Sequence, residues 1–167
     1  MKAIIATSKN GIIGNDGKIP WYCREDLQWF KEFTYGKRLI VGRKTWDSLP
    51  ELKCRRFAVL TNDYNLLSEF DANYDFEKDL AWEYMRFKQL ESILKNEKNF
   101  ENDDIIVAGG SKIYELMLPY ITEFYQTVVD VECEGDTRFP FRLEDHFSKQ
   151  ELHKELSEKA RVYKWIK

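Results

Sequence analysis

Four short apolar runs constrain the fold of this chain more than any other feature. They are residues 2–7 (KAIIAT), 38–42 (RLIVG), 57–61 (FAVLT) and 104–108 (DIIVA). Short runs without polar alternation are typical of strands that are covered on both faces, as in parallel sheets with helices on each side. The sequence therefore predicts an α/β protein built on a mainly parallel sheet.

The C-terminal part of the chain has a different pattern. Residues 124–133 (FYQTVVDVEC) alternate as one long strand, and two more candidate strands follow at about 149–156 and 161–166 with no helix between them. Consecutive strands without a crossover pair antiparallel. We therefore predict that residues 1–167 form a single α/β domain with a mixed, mainly parallel sheet, an antiparallel C-terminal edge and flanking helices.

A carboxylate lies on the apolar face of the first predicted helix, which begins at about Arg24. This face carries Asp26 together with Leu27, Trp29, Phe30 and Phe33. A buried carboxylate without a partner costs several kcal/mol or has a raised pKa, so it normally has a hydrogen-bond partner or a function. Two interpretations fit: a backbone amide or hydroxyl satisfies Asp26 internally, or Asp26 is the floor of a pocket for a flat heterocycle, walled by Leu27 and Phe30.

Two predicted strand-to-helix junctions carry the glycines, cations and hydroxyls that bind phosphate in open α/β sheets. They are Gly42 with Arg43, Lys44 and Thr45, and Gly109 with Gly110, Ser111 and Lys112. Neither matches GxGxxG, so an ordinary Rossmann pyrophosphate site is disfavoured. Two such junctions in one small sheet predict a site for both ends of a dinucleotide.

A long loop precedes the first predicted helix. Residues 8–18 contain Gly11, Gly14 and Gly17 and lead directly into Pro20 and Trp21. The loop is either an ordinary connection or, because it is longer than usual, a lid over a pocket.

Charge is unevenly distributed along the chain. Residues 62–104 carry 12 acidic and 5 basic side chains, whereas the rest of the chain carries 17 acidic and 21 basic ones. This mildly basic remainder suits anionic small molecules and is too weakly charged to predict nucleic-acid binding. The acidic segment is predicted to hold one long helix, residues 78–96. Its packing face would consist of Leu80, Tyr84, Phe87, Leu90 and Leu94.

Composition argues against a membrane protein and against a metal site. No window approaches 18 apolar residues and no leader pattern is visible, so we expect no membrane association and a cytoplasmic location. The three cysteines, Cys23, Cys54 and Cys133, are far apart and accompanied only by His146 and His153, which favours a reducing compartment and no metal.

Six segments, taken together and in order, resemble the dihydrofolate reductase family from end to end. They are KAIIAT, NGIIGNDGKIPW, EDLQWFK, IVGRKTWDSL, IVAGGSKIYE and YQTVVDVECEGDTRFP, which together make up 61 of the 167 residues. The resemblance implies the fold of that family, with an acidic helical insertion at about 63–103. It also implies reduction of 7,8-dihydrofolate to 5,6,7,8-tetrahydrofolate by hydride transfer from NADPH, by a monomer that binds no nucleic acid.

The resemblance also implies a role for each matching residue. Asp26 would bond the pterin ring, Thr127 would join the same cluster, and Trp21 would close a lid that Asp136 braces. The implied substrate-binding residues are Ile5, Leu27, Phe30, Leu49 and Arg55. The implied cofactor-binding residues are Ala6, Ile13, Gly14, Ile19, Gly42, Arg43, Lys44, Thr45, Thr61, Asn62, Gly109, Gly110, Ser111, Lys112, Ile113 and Tyr114.

The chain departs from the family pattern near the predicted glutamate site. The turn before Arg55 is shortened, and Cys54 stands where the family commonly has glycine, so Arg56 is an alternative to Arg55. Two other functions compete: a related reductase acting on another pterin or on a ribosylated aminopyrimidine, and a non-catalytic binding protein with the same fold. Retention of Asp26, Thr127 and Arg55 argues against the first, and retention of Asp26 argues against the second.

Overall fold

The computed structural model describes residues 1–63, 65, 82–96 and 105–167 of the chain. The strands within these ranges are β1 (Lys2–Ser8), β2 (Ile12–Gly14), β3 (Arg38–Gly42), β4 (Arg56–Leu60), β5 (Trp82–Met85), β6 (Ile105–Val107), β7 (Glu123–Val129), β8 (Thr137–Arg138), β9 (Lys149–Ser157) and β10 (Ala160–Ile166). The helices are α1 (Arg24–Thr34), α2 (Arg43–Ser48), α3 (Phe87–Asn96) and α4 (Ser111–Met117), with 3-10 turns at Leu118–Tyr120 and Leu143–Asp145.

Eight of these strands form one mixed sheet in the order β5-β4-β3-β6-β1-β7-β10-β9. All neighbours from β5 to β7 are parallel, and β10 pairs antiparallel with both β7 and β9. The predicted mainly parallel sheet with an antiparallel C-terminal edge is therefore confirmed. The four apolar runs correspond to β1, β3, β4 and β6, which lie in the interior of the sheet.

The interior strands are buried on both faces, which explains their continuous apolar sequences. In β3, Leu39, Ile40 and Val41 are each 0% exposed. Leu39 and Val41 belong to the apolar cluster that contains Trp29 of α1, whereas Ile40 belongs to the cluster on the other face, with Tyr114 of α4. Helices therefore cover both faces of the sheet.

Helix α1 has the amphipathic pattern that its sequence predicts. The Trp29 ring lies 4.9 Å from the Phe33 ring, and Phe33 lies 4.5 Å from Tyr125 of β7, so this face is fixed against the sheet. Asp26, on the same face, is only 8% exposed. The helix ends before Gly36, whose φ of 72° is a conformation that glycine adopts without strain.

The long helix predicted for residues 78–96 is wrong in its first part. Trp82–Met85 form β5, which pairs in parallel with β4, and α3 begins only at Phe87. The sequence of this segment fits a helical periodicity as well as a strand. It forms a strand because it pairs with β4. The later part of the prediction holds, since Leu90 is buried and Phe87 and Leu94 pack against the core. Leu80 and most of the predicted insertion lie outside the described residues.

Two other boundaries differ from the sequence prediction. The strand predicted to reach residue 133 ends at Val129. The N–H of the next residue, Asp130, donates a hydrogen bond to the carbonyl oxygen of Lys159. Helix α2 begins at Arg43, directly after β3, whereas the sequence predicts a helix from Thr45 to Leu49. None of the helices in the described ranges is long and apolar enough to cross a membrane.

Candidate active site

The site lies where α1 crosses the carboxyl ends of β1 and β7. Thr127 on β7 pairs in register with Ala6 on β1, and both lie next to the N-terminal turn of α1, which carries Asp26. Thr127 is 0% exposed. The structure thus brings Asp26 and Thr127, 101 positions apart in the sequence, into one buried polar pair.

The Asp26 carboxyl is buried without a compensating charge. No lysine, arginine or histidine of the described residues forms an ion pair with it. Burial raises the pKa of the Asp26 carboxyl above its ordinary value, and the nearby Thr127 hydroxyl lowers it by a smaller effect. This carboxyl therefore favours a ligand that donates hydrogen bonds or carries positive charge.

The Thr127 hydroxyl does not satisfy Asp26 fully. Its Oγ1 is buried and makes no hydrogen bond of normal geometry to any described residue, although it is close enough to affect the carboxyl. Buried polar atoms nearly always have a hydrogen-bond partner, so this hydroxyl and the neighbouring carboxyl together suit a ligand that donates hydrogen bonds. A buried carboxyl next to a hydroxyl fits both interpretations of Asp26.

The apolar residues predicted to bind the substrate are partly buried or exposed. Phe30 of α1 and Leu49, which follows α2, are half-buried and pack on the cluster that contains Trp29. Ile5 of β1 is half-buried against the opposite cluster, and Leu27, next to Asp26, is 41% exposed. Partly exposed apolar residues around a buried polar pair are typical of the lining of a small-molecule site.

An open cavity of about 580 Å³ lies on the polar side of α1. Its lining residues are Gln28, Lys31, Glu32, Tyr35, Glu51, Leu52, Lys53 and Arg55. Arg55 Nε donates to Thr34 Oγ1 at 3.2 Å, and the two terminal nitrogens donate to the backbone oxygens of Lys31 and Lys53. Arg56 begins β4 and does not line the cavity, so Arg55 is the arginine placed at this site.

The two glycine junctions, which follow β3 and β6, are in direct contact. The Gly42 N–H donates to the carbonyl oxygen of Gly109 at 2.7 Å, and the Gly109–Gly110 peptide is cis. A Cβ on Gly42 would lie 3.0 Å from Ile113 Cγ1, and one on Gly110 would lie 3.0 Å from Thr45 Oγ1. A side chain at either position would therefore press on a neighbouring side chain, so the close packing of the two junctions favours glycine.

Other predicted cofactor residues stand around these junctions. Tyr114 of α4 is fully buried, its hydroxyl donates to the Ile4 carbonyl oxygen at 2.6 Å, and burial raises its pKa. Ser111 opens α4, while Lys44 and Lys112 are exposed at the two helix starts. Thr61 and Asn62 follow β4 at the same edge of the sheet. The structure therefore brings together residues that sequence analysis assigned to the cofactor.

Arg43 is already paired with carboxylates. Its Nε lies 2.8 Å from Asp47 Oδ2 and its Nη1 lies 3.7 Å from Asp63 Oδ2. Any phosphate bound here has to share this guanidinium with two acidic side chains.

The loop between β1 and α1 is held by a two-stranded ladder. Within it, β2 pairs antiparallel with β8 through Ile12 with Arg138 and Gly14 with Thr137. The Asp16 N–H donates to Asp136 Oδ2 at 2.9 Å. The Thr137 hydroxyl and this N–H hold the pKa of Asp136 below its ordinary value.

The part of this loop nearest α1 is less tightly packed. Ile19 is 52% exposed and Trp21 is half-buried, so both residues are accessible at the start of α1. Ile13, in β2, is also half-buried. The loop predicted to be a lid is therefore held by hydrogen bonds at its β2 end, whereas its other end, next to α1, is more exposed.

Sequence analysis missed three kinds of site residue. The cavity residues Gln28, Lys31 and Glu32 follow helical spacing on α1 and could have been found from it. Thr34, which orients Arg55, and Gly135, which packs against Gly14, have no local signal because their partners are distant in the sequence.

Known proteins match the chain over nearly its whole length. A sequence model of the family "Dihydrofolate reductase" matches residues 1–166. The dihydrofolate reductase of Buchnera aphidicola subsp. Schizaphis graminum is 40% identical over 139 residues, which are 82% of this chain and 76% of that protein. The dihydrofolate reductase type 1 of Escherichia coli is 36% identical over 140 residues, 84% of this chain and 81% of that protein.

A solved structure shows the same fold. The dihydrofolate reductase from Enterococcus faecalis, in complex with NADP(H) and RAB-propyl, superposes with a TM-score of 0.71 at 26% identity and covers 99% of this chain and 94% of its own. Sequence and fold agree with the arrangement of a buried carboxylate, apolar walls and paired glycine junctions. The chain therefore belongs to the dihydrofolate reductase family.

Proposed function

We propose that this protein reduces 7,8-dihydrofolate to 5,6,7,8-tetrahydrofolate with NADPH as the hydride donor. The observation that carries the proposal is the buried Asp26 carboxyl, which has no cation from the described residues beside it and has the buried Thr127 hydroxyl as its neighbour. A dihydropterin offers an amino group and a ring N–H on one edge, which are the donors that this pair lacks. Membership of the family supports the same reaction.

Asp26 has two tasks in this reaction. Its carboxylate orients the pterin by accepting hydrogen bonds from the ring's amino group and adjacent nitrogen, with Thr127 contributing to the same cluster. Because the carboxylate is desolvated, its charge favours a positive pterin more strongly than it would in water. It therefore promotes protonation of the ring nitrogen that neighbours carbon 6, without itself delivering the proton.

The remaining substrate-binding residues position the other parts of dihydrofolate. Leu27, Phe30, Ile5 and Leu49 form apolar walls, which exclude water from the reacting ring and hold it flat. Arg55 binds the glutamate carboxylate at the outer cavity. Its guanidinium is fixed by the Lys31 and Lys53 carbonyl oxygens and therefore loses little freedom when the carboxylate binds.

The residues at the glycine junctions fit NADPH. Gly42 and Gly110 pack closely against Ile113 and Thr45, which keeps the two junctions side by side, and the first turns of α2 and α4 have no side-chain cap from any described residue. When bound, NADPH supplies the hydride to carbon 6. Its nicotinamide and diphosphate would lie along Ala6, Ile13, Gly14, Ile19, Gly42, Thr45, Gly109, Gly110, Ser111, Ile113 and Tyr114. Its phosphates, including the one on the adenosine ribose, would be held by Arg43, Lys44, Thr61, Asn62 and Lys112.

Trp21 and Ile19 close the site after both molecules have bound. The Asp136 carboxylate supports this arrangement through Asp16, because it fixes the preceding part of the loop. Closure excludes water and aligns the two reacting rings, which accounts for much of the rate in a hydride transfer.

We also propose that residues 1–167 act as one domain and as a monomer in the cytoplasm, with an acidic helical insertion at about 63–103, and that they bind no nucleic acid. The exposed edge strand β9 supports the monomer because it carries Lys149, Glu151, Lys154 and Glu155, and charged edges resist pairing with a second copy. The three cysteines, all in the described residues, form no disulfide, which suits a reducing compartment. Light scattering at micromolar concentration tests the oligomeric state.

Turnover of dihydrofolate and NADPH, followed by the loss of reduced-nicotinamide absorbance, tests the reaction. We expect Asp26→Asn to lower the rate about 100-fold or more near neutral pH and less in acid, where the substrate arrives already protonated. Glu25→Gln, the neighbouring exposed carboxylate on α1, is the matched control and should keep the wild-type profile. An enzyme that reduces only a ribosylated aminopyrimidine, or nothing, would refute the proposal.

A further inference from the structure

Asp63 introduces a negative charge at the edge of the sheet that would receive the adenosine half of the cofactor. It lies three residues after β4, whose last residue, Leu60, is in register with Gly42 at the end of β3. This register places Asp63 beside the start of α2, where its Oδ2 lies 3.7 Å from Arg43 Nη1. Asp47, on the next turn of α2, binds the same guanidinium at 2.8 Å.

The strand order determines which half of a dinucleotide reaches Asp63. The pterin site lies at β1, and the glycine junctions follow β6 and β3, the next two strands, with β4 beyond them. Neighbouring strands are about 4.8 Å apart, so the end of β4 lies roughly 14 Å from the end of β1. A dinucleotide with its nicotinamide at β1 and its diphosphate over the junctions therefore extends its adenosine ribose toward Arg43 and Asp63.

We propose that Asp63 is a specificity-determining residue that lowers the preference of this enzyme for NADPH over NADH. This inference rests on the cofactor role proposed above. A 2′-phosphate near Arg43 competes with the Asp63 carboxylate for the guanidinium and is repelled by that carboxylate. NADH has no 2′-phosphate, so neither effect acts on it. Asp63 therefore weakens the binding of NADPH but not that of NADH.

The local structure allows this charge to be removed without disturbing the turn. Asp63 Oδ1 accepts the Asn65 N–H at 3.1 Å, and the Asp63 N–H donates to Thr61 Oγ1 at 3.1 Å. An asparagine at position 63 keeps the acceptor oxygen and the backbone N–H. Asp63→Asn therefore changes the charge and little else.

Calorimetric binding of adenosine 2′,5′-bisphosphate and of adenosine 5′-monophosphate tests the proposal without turnover. The two probes differ only in the 2′-phosphate. At low salt, we expect Asp63→Asn to raise the affinity for the bisphosphate about three- to tenfold and that for the monophosphate less than about twofold. The gain should shrink at about 0.3 M salt, where screening is stronger.

Glu155→Gln is the matched control. Glu155 lies on β9, at the far end of the sheet from β4, and pairs with Arg161 at 2.9 Å, so the substitution removes the same charge from a comparable exposed ion pair. Its ratio of the two affinities should equal that of the wild type. Circular dichroism and the monophosphate affinity show that each variant is folded.

The outcomes separate this inference from the proposed reaction. An unchanged or lower affinity ratio in Asp63→Asn, or an equal gain for both probes, would overturn the role of Asp63. Failure of both probes to bind any of the proteins would overturn the cofactor placement and this inference with it. If Asp63→Asn showed the expected ratio of affinities but the protein did not turn over dihydrofolate, the role of Asp63 would be supported and the proposed reduction of dihydrofolate would be refuted.

Discussion

The packing of Gly135 against β2 predicts that the smallest possible side chain at this position impairs the lid. An added Cβ would overlap Ile12 Cγ2 and lie 2.5 Å from the carbonyl oxygen of Gly14, where ordinary contact begins at 3.4 Å. The Gly14 oxygen belongs to the backbone and cannot rotate away. Gly135→Ala therefore has to displace β2, or the turn opposite it, by about 0.9 Å.

The size of the effect follows from this displacement. Overpacking of this kind costs about 1–3 kcal/mol of folding free energy. The same movement separates the Asp16 N–H from the carboxylate of Asp136, the residue after Gly135, so it reaches the loop that we propose closes over the reacting rings. Misplacement of a site by about 1 Å costs on the order of 100-fold in rate, so we expect the hydride-transfer rate to fall roughly 10- to 100-fold.

Single-turnover hydride transfer at saturating substrate and NADPH measures this rate directly, and urea unfolding measures the stability. Gly36→Ala is the matched control, because Gly36 has a φ of 72° and no atom within 4 Å of an added Cβ. It should lose about 1–2 kcal/mol through backbone strain alone and keep its rate within about twofold. If Gly135→Ala transferred hydride at the wild-type rate, the link between this contact and the lid would be refuted.

Two further predictions concern the substrate site. Asp26→Asn should raise the free energy of unfolding near pH 7, because burial raises the folded-state pKa of this carboxyl; the gain should vanish below its ordinary value of 3.8, where folded and unfolded chains are both protonated. Urea unfolding at both pH values measures this, and a variant less stable than the wild type at pH 7 would contradict it. Arg55→Lys should raise KM for dihydrofolate on the order of tenfold with little change in kcat, since an ammonium cannot replace the fork that contacts Lys31, Lys53 and a carboxylate. Steady-state kinetics with Arg56→Lys as the control test this, and equal KM values for the two variants would refute the assignment.

The features that sequence analysis predicted correctly are those with a local signal. Strand β3 was identifiable because burial on both faces requires a continuous apolar run. Asp26 was identifiable because a charge on an apolar helix face breaks a local pattern. Strand β5 was mispredicted because Trp82–Met85 fit two periodicities, and only pairing with β4 decides between them.

Contacts between distant segments left no such signal. Arg55 is oriented by Thr34, 21 positions earlier, and the choice between Arg55 and Arg56 depends on which side chain turns toward α1. Gly135 must be glycine because Gly14 and Ile12, more than a hundred residues earlier, occupy the adjacent space. Periodicity carries no information on either contact, since both depend on the packing of completed elements.

The attachment of Arg55 to the end of α1 has a consequence for the length of acceptable substrates. The same helix carries Asp26 near its start and, at Lys31, the carbonyl oxygen that holds the guanidinium. Five residues of α-helix rise about 7.5 Å, so the distance between the ring-binding and tail-binding groups is set by a rigid element. A folate analogue with a longer or shorter bridge between ring and glutamate could contact Asp26 with its ring or Arg55 with its glutamate, but not both.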